Sequence, residues 1–348
     1  MLPMFINAAI VLSPVIVCLV AFERVDAFKL VSFAEILALL ALGGAAAGGS
    51  YLANNSVMDT FPLGLGTFQQ VGAPVVEEVL KALLIVLVFA LNRVGYMIDA
   101  AIVGFAVGAG FAIVENILYL NQFAGASTGI WLVRGFGTAI MHGGAAALFS
   151  VIAQLLYAPR LRADASRFRF NPLLFVPGLL AAIALHAAFN RFTNAPLEAM
   201  AVVLVAVPLT LVTIFVVGET HTHRWLAQSK AAHAHLLADI ESGAFADSAH
   251  GRAIAALASR LGAALGAALN EYIHLYAELV VLADADLLAI EAHEVTAHKD
   301  RVRAKLHRLH DLEKMLGHAA VMSVRQHLHF SRNDLWKMHE LEMHTARG

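Results

Sequence analysis

Apolar residues fill the first 220 positions in long blocks separated by short polar breaks; beyond them the text turns to the mixed helical periodicity of segments that cover a core. Seven blocks, at about 5–22, 30–53, 73–91, 98–120, 130–157, 172–191 and 197–219, approach the roughly 20 residues that a helix needs to cross a bilayer. The first block follows no basic segment and no small-residue cleavage site comes after it, so it is expected to be a retained span. From residue 221 the sequence is Ala-rich and charged, with turn signals only at Ser242-Gly243 and Gly317. The apolar stretch 253–290 is interrupted by Arg260, Asn270, Glu271, His274 and Glu278, which suits a bundle core rather than an eighth span. The pattern therefore predicts an all-α fold: a membrane helix bundle of about seven spans over 1–220 and a C-terminal cytoplasmic domain of three to five helices over 221–348.

Composition agrees, with 59% hydrophobic and 14% charged residues and a mean hydropathy of +0.70. The net charge of -2 gives no footprint for nucleic acid, and the single cysteine, Cys18, excludes an intrachain disulfide. Loop charges set the orientation. Arg24, Lys29, Arg93, Arg160, Arg162, Arg167, Arg169, Arg224 and Lys230 follow the odd-numbered spans, whereas 54–72 and 121–129 hold no Lys or Arg. This places the N-terminus outside and the tail in the cytoplasm.

Against that background the ionisable and amide residues inside the spans stand out: Glu77, Glu78, Lys81, Glu115, Asn116, Arg134, His142, His186 and Asn190. A rise of about 1.5 Å per residue puts the two glutamates some 6–8 Å below the outer boundary and His142 about 18 Å in, so four spans bring polar groups to overlapping depths. Lys81 lies four residues after Glu77 and three after Glu78, positioned to cover both carboxylates, and His186 and Asn190 share a helix face. Arg134 is expected to snorkel to the headgroups. Glycines before Glu115 and around His142 allow the close helix approach that a compact site needs.

Carboxylates beside imidazoles are groups that activate water. A glutamate can serve as general base. His142, His186 and Asn190 can donate to a tetrahedral oxyanion; alternatively His142 and His186, with Glu78 and Glu115, can hold a zinc ion whose open position carries the water. A proton or cation transporter is the competing reading, and it predicts polar groups strung across the whole membrane thickness.

"EEVLK" at 77–81, "FAIVEN" at 111–116, "TAIMHGG" around His142 and "HAAFN" at 186–190 resemble, in order, the motifs of the PrsW family of intramembrane proteases, within the wider superfamily of the type II CAAX prenyl endopeptidases. The resemblance implies cleavage of membrane-anchored proteins, anti-sigma factors among them, on the outer side of a bacterial inner membrane. It implies Glu77 and Glu78 as activating acids with Lys81 as their partner, and Glu115, Asn116, His142, His186 and Asn190 as the rest of the site. CAAX-type enzymes carry a histidine in the second motif; this chain has Glu115 there.

Of the 17 histidines, 15 lie beyond position 220, among them His221, His223, His233, His235, His293, His298, His307 and His310. They are expected on solvated faces, with His235 and Asp239 a possible metal pair and self-association of the tail helices a further expectation. "SRND" at 331–334 reads as the cap of a final helix.

Overall fold

The computed structural model describes residues 2–25, 31–61, 64–91, 93–123, 125–163, 170–192, 194–291, 299–328 and 332–346, and among these the chain is helical, without strands. It forms two compact units, 1–159 with 170–219, and 160–169 with 220–348.

Each of the seven apolar blocks forms a helix: α1 (Leu2–Val25), α2 (Phe33–Thr60), α3 (Ala73–Ala90), α4 (Met97–Gln122), α5 (Ala139–Ala163), α6 (Val176–Arg191) and α7 (Pro196–Ser242). Among the described residues, five apolar stretches can by length and composition cross a membrane: Phe33–Thr60, Met97–Gln122, Thr128–Ala158, Pro172–Arg191 and Pro196–Ser242. The apolar part of α1, Phe5–Ala21, is shorter, and α3 carries three charges within its 18 residues. Large apolar side chains such as Leu180, Val202, Val205 and Leu209 lie exposed, as lipid-facing groups do.

Helix α4 is the axis of the first unit, buried without interruption from Ile98 to Ala112. Its glycines make this possible. A Cβ on Gly104 would stand 2.3 Å from the Ala146 carbonyl oxygen of α5, and one on Gly108 would stand 2.2 Å from that of His142. On its α2 side, a Cβ on Gly110 would stand 2.1 Å from the Leu40 oxygen, and one on Gly43 2.0 Å from that of Val107. Backbones therefore touch along both flanks, the packing that small residues permit in membranes.

Local chemistry corrects two of the expected boundaries. Helix α2 begins at Phe33 rather than 30, because Ser32 and Glu35 form a capping box: the Ser32 hydroxyl accepts from the Glu35 amide at 3.3 Å and Glu35 accepts from the Ser32 amide at 2.8 Å. The helix then runs on through 54–60, a stretch expected to be loop, and so carries Asn54 into the bundle. Single π-helical turns, Phe68–Gly72 and Val133–Thr138, lead into α3 and α5. Such widened turns redirect the side chains around them and recur at functional sites.

Among the described residues of the second unit, five α-helices follow α7: α8 (Ala249–Leu261), α9 (Ala263–Glu291), α10 (Lys299–Leu316), α11 (His318–His327) and α12 (Arg332–Ala346). The chain turns at Gly243 and Gly317, as the sequence indicates, and also at Gly262, where φ is 82°. That third break divides the 253–290 stretch, and its apolar residues build a bundle core around Leu269, Tyr272, Tyr276 and Leu279. Arg308 pairs with Glu271 and Lys305 with Glu278 on its outside. Burial pushes the Tyr272 phenol up to about 12. Lys337 is sealed between Asp284 and Asp334, 2.6 Å from each, with His233 2.7 Å from the other oxygen of Asp284. His233 is thus an exception to the expected solvated histidines, whereas the His235–Asp239 pair is exposed. Ser331, His293 and His298 lie outside the described residues.

Candidate active site

The polar residues of α3, α4, α5 and α6 converge. Pro74 follows directly on the π-helical turn Phe68–Gly72, and the next turn of α3 presents Glu77, Glu78 and Lys81 together. Lys81 Nζ contacts Glu78 Oε1 at 2.5 Å and His142 Nδ1 at 3.0 Å. His186 Nδ1 lies 2.8 Å from the same Glu78 oxygen, and His142 Nε2 lies 3.1 Å from Glu115 Oε2. The two imidazoles meet edge to face with centroids 4.7 Å apart. Phe111 closes the floor, 4.7 Å from the Lys81 ammonium.

Exposure sorts the cluster into two layers. The side chains of Glu78, Lys81, His142 and His186 are at most 3% exposed. Glu77, Arg134 and Glu115 are 11%, 13% and 22% exposed, so they form the mouth. Lys81 does not bridge both α3 glutamates: it takes Glu78, while Glu77 receives the Asn54 amide at 3.4 Å.

Hydrogen-bond logic fixes the proton positions along the inner layer. An ammonium has only donors, so His142 Nδ1 accepts from Lys81 and its Nε2–H donates to Glu115. A carboxylate only accepts, so His186 donates to Glu78 from Nδ1, and as a neutral imidazole it keeps a lone pair on Nε2. That lone pair faces Glu77 Oε2 across 3.9 Å. Two acceptors face one another at a spacing that a shared water or a cation would satisfy.

A metal ion fits this donor set. One ligand atom each of Glu77, His142 and His186 falls within 4.8 Å of the others, all three residues are buried, and Glu78 stands behind His186 as the carboxylate that commonly orients a ligating imidazole. The set differs from the one expected, with Glu77 in place of Glu78 and Glu115: Glu78 is spent on Lys81 and His186, and Glu115 on His142 and Arg134.

Three other residues stand elsewhere than expected. The Asn190 amide donates to the Gln69 carbonyl in the π-helical turn before α3, at 2.9 Å, and fastens α6 there. Asn116 accepts from Arg134 Nε at 2.8 Å. Arg134 does not snorkel: it pairs with Glu115 at 3.2 Å and lies 3.6 Å over the Tyr119 ring, because a half-buried carboxylate offers it a charged partner. Asn54 escaped the sequence reading because it follows the expected end of its span. The only available signal was the helical spacing that carries it past position 53.

The family described as PrsW family intramembrane metalloprotease matches residues 32–217, a range that contains every residue of the cluster. No curated protein and no solved structure matches the chain.

Proposed function

The chain belongs to the PrsW family of intramembrane metalloproteases, and from that premise we propose that it hydrolyses a peptide bond of a membrane-anchored protein at the mouth formed by Glu77, Glu115 and Arg134. Its setting is a bacterial inner membrane, with the mouth toward the outside and the tail in the cytoplasm. Anti-sigma factors are the substrate class that the family points to.

The observation that carries this reading is the 3.9 Å gap between Glu77 Oε2 and the His186 Nε2 lone pair. A water molecule there donates one proton to each group. Glu77 takes its proton as the oxygen attacks the carbonyl carbon of the substrate, and returns it to the amide nitrogen as the C–N bond breaks. Glu78 holds the His186 ring in the tautomer that leaves Nε2 open, and Lys81 balances the Glu78 charge.

Glu77, His142 and His186 are the residues that would hold a divalent ion, zinc by donor type. Such an ion supplies Lewis-acid polarisation of the carbonyl and of a bound water. His142 would join as a ligand through Nε2 in the tautomer that carries the ring proton on Nδ1. With Glu77 committed as ligand, Glu115 is the remaining mouth-facing carboxylate able to accept a proton.

The test is cleavage, in proteoliposomes, of a tagged single-span protein in water enriched in oxygen-18. Wild type should release fragments whose new carboxylate carries the label, and His186→Ala should lower the rate by about 10²–10⁴-fold. A His186→Ala variant that still cleaves at the wild-type rate contradicts the assignment. Purified wild type should also retain zinc, and both Glu77→Gln and His186→Ala should lose most of it.

A further inference from the structure

We propose that Asn190 is a positioning residue of the hydrolytic site: through the Gln69 carbonyl it holds α6 against the turn before α3, and so sets the gap between His186 and Glu77. This role rests on the reading of the site above and goes beyond it, since it takes Asn190 away from the oxyanion and gives it a partner outside the four motifs.

The hydrogen bonding of the π-helical turn Phe68–Gly72 creates the opening that Asn190 fills. In such a turn each amide reaches the carbonyl five residues back, and the Ala73 N–H accordingly donates to the Phe68 carbonyl. The next amide in the series would serve Gln69, but residue 74 is proline and has no N–H. The Gln69 carbonyl receives nothing from that position, and the Asn190 side-chain amide donates to it instead at 2.9 Å. The turn is also held from its other side. Phe68 is buried, and Gly72 makes room for its ring, since a Cβ there would stand 2.5 Å from Phe68 Cδ2.

Both ends of this bond lead to the reacting groups. Asn190 lies one turn after His186 on α6, and the turn that carries Gln69 runs without a break into α3, with its Glu77 and Glu78. The same two segments are tied a second time, where His186 Nδ1 meets Glu78 Oε1 at 2.8 Å. Two ties fix both a spacing and an angle, whereas one is a pivot. With Asn190 removed, the His186–Glu78 bond is left as that pivot, and the 3.9 Å separation of His186 Nε2 from Glu77 Oε2 is no longer held. Hydrolysis depends steeply on such spacing, because a misplacement of about 1 Å costs on the order of 100-fold in rate.

The test joins two measurements on the full chain in proteoliposomes: cleavage of the tagged single-span protein, and the separation of spin labels on cysteines at 71 and 192. Both positions are exposed and lie next to the clasp, and Cys18→Ser removes the native thiol. Asn190→Ala should cleave about 10- to 100-fold more slowly through kcat, with KM little changed, and should broaden the label separation. Pro74→Ala returns a backbone N–H to the Gln69 carbonyl, so it should displace Asn190 and reproduce both effects with every α6 side chain intact. The two changes combined should cost little more than either alone. Thermal unfolding is the control for folding, and Pro74→Ala carries the test if Asn190→Ala melts below wild type. A direct donor to the oxyanion would give another pattern: slow cleavage by Asn190→Ala at an unchanged label separation, with normal cleavage by Pro74→Ala. That pattern, or undiminished cleavage by Asn190→Ala, overturns the role of the clasp. Undiminished cleavage by Glu77→Gln, a change that should leave the labels where they are, overturns instead the reading of the site, and this inference with it.

Discussion

Lys81 is fully buried and Glu78 nearly so, and a charge in that setting persists because its partner is present. Lys81→Met strands the Glu78 carboxylate beside His186 and should destabilise the protein by about 3–5 kcal/mol. Lys81→Met with Glu78→Gln removes both charges and should recover part of that loss, as denaturant titration of the purified protein would show. The ionisable members of this site were legible because the bilayer makes each one costly: Glu77, Glu78, Lys81, Glu115, His142 and His186 stand out against apolar neighbours, and the structure gathers all six. Their pairing was not legible. Helical spacing let Lys81 reach either glutamate, and the choice depends on α2, which brings Asn54 to Glu77. Arg134 was misassigned because sequence position suggests depth but not which helix a side chain faces.

Helices α2, α4 and α5 are joined through glycines, and this is what allows a site to be assembled from single residues on separate elements. Gly108 is the sharpest case, since an added methyl would meet the carbonyl of His142 itself. Gly108→Ala should therefore push α5 away, lower thermal stability and reduce cleavage. Gly48→Ala on α2, where a Cβ meets nothing within 4 Å, should change neither, and the two variants compared in one melting and cleavage series check the point. The seven helices could be read from apolar block length, which the bilayer fixes. The extension of α2 through 54–60 could not, because polar residues there mimic a loop while the backbone continues its hydrogen bonding. Gly262 was hidden in the same way: one apolar run can serve two helices of a bundle core as well as one.

At the scale of the whole chain, two units divide near residue 219 within the continuous helix α7. The proposed orientation puts 125 outside and 230 in the cytoplasm. In a Cys18→Ser background, a cysteine at 125 should react with an impermeant maleimide in intact cells, and one at 230 only after lysis; the reverse pattern would invert the topology. The tail holds its own core, so Lys337→Met should unfold the second unit and leave residual helicity from the first, as monitored by circular dichroism on heating. Neither its histidine content nor its helix pattern revealed the buried Lys337–Asp284–His233 contact, since its two pairings join residues 51 and 53 positions apart.

Everything proposed about catalysis depends on Glu77 meeting water opposite the open nitrogen of His186. The most direct measurement is the cleavage rate of a co-reconstituted single-span protein by Glu77→Gln, at a melting temperature matching wild type. The account predicts a fall of about 10²–10⁴-fold. A folded Glu77→Gln enzyme that cuts as fast as wild type would contradict it.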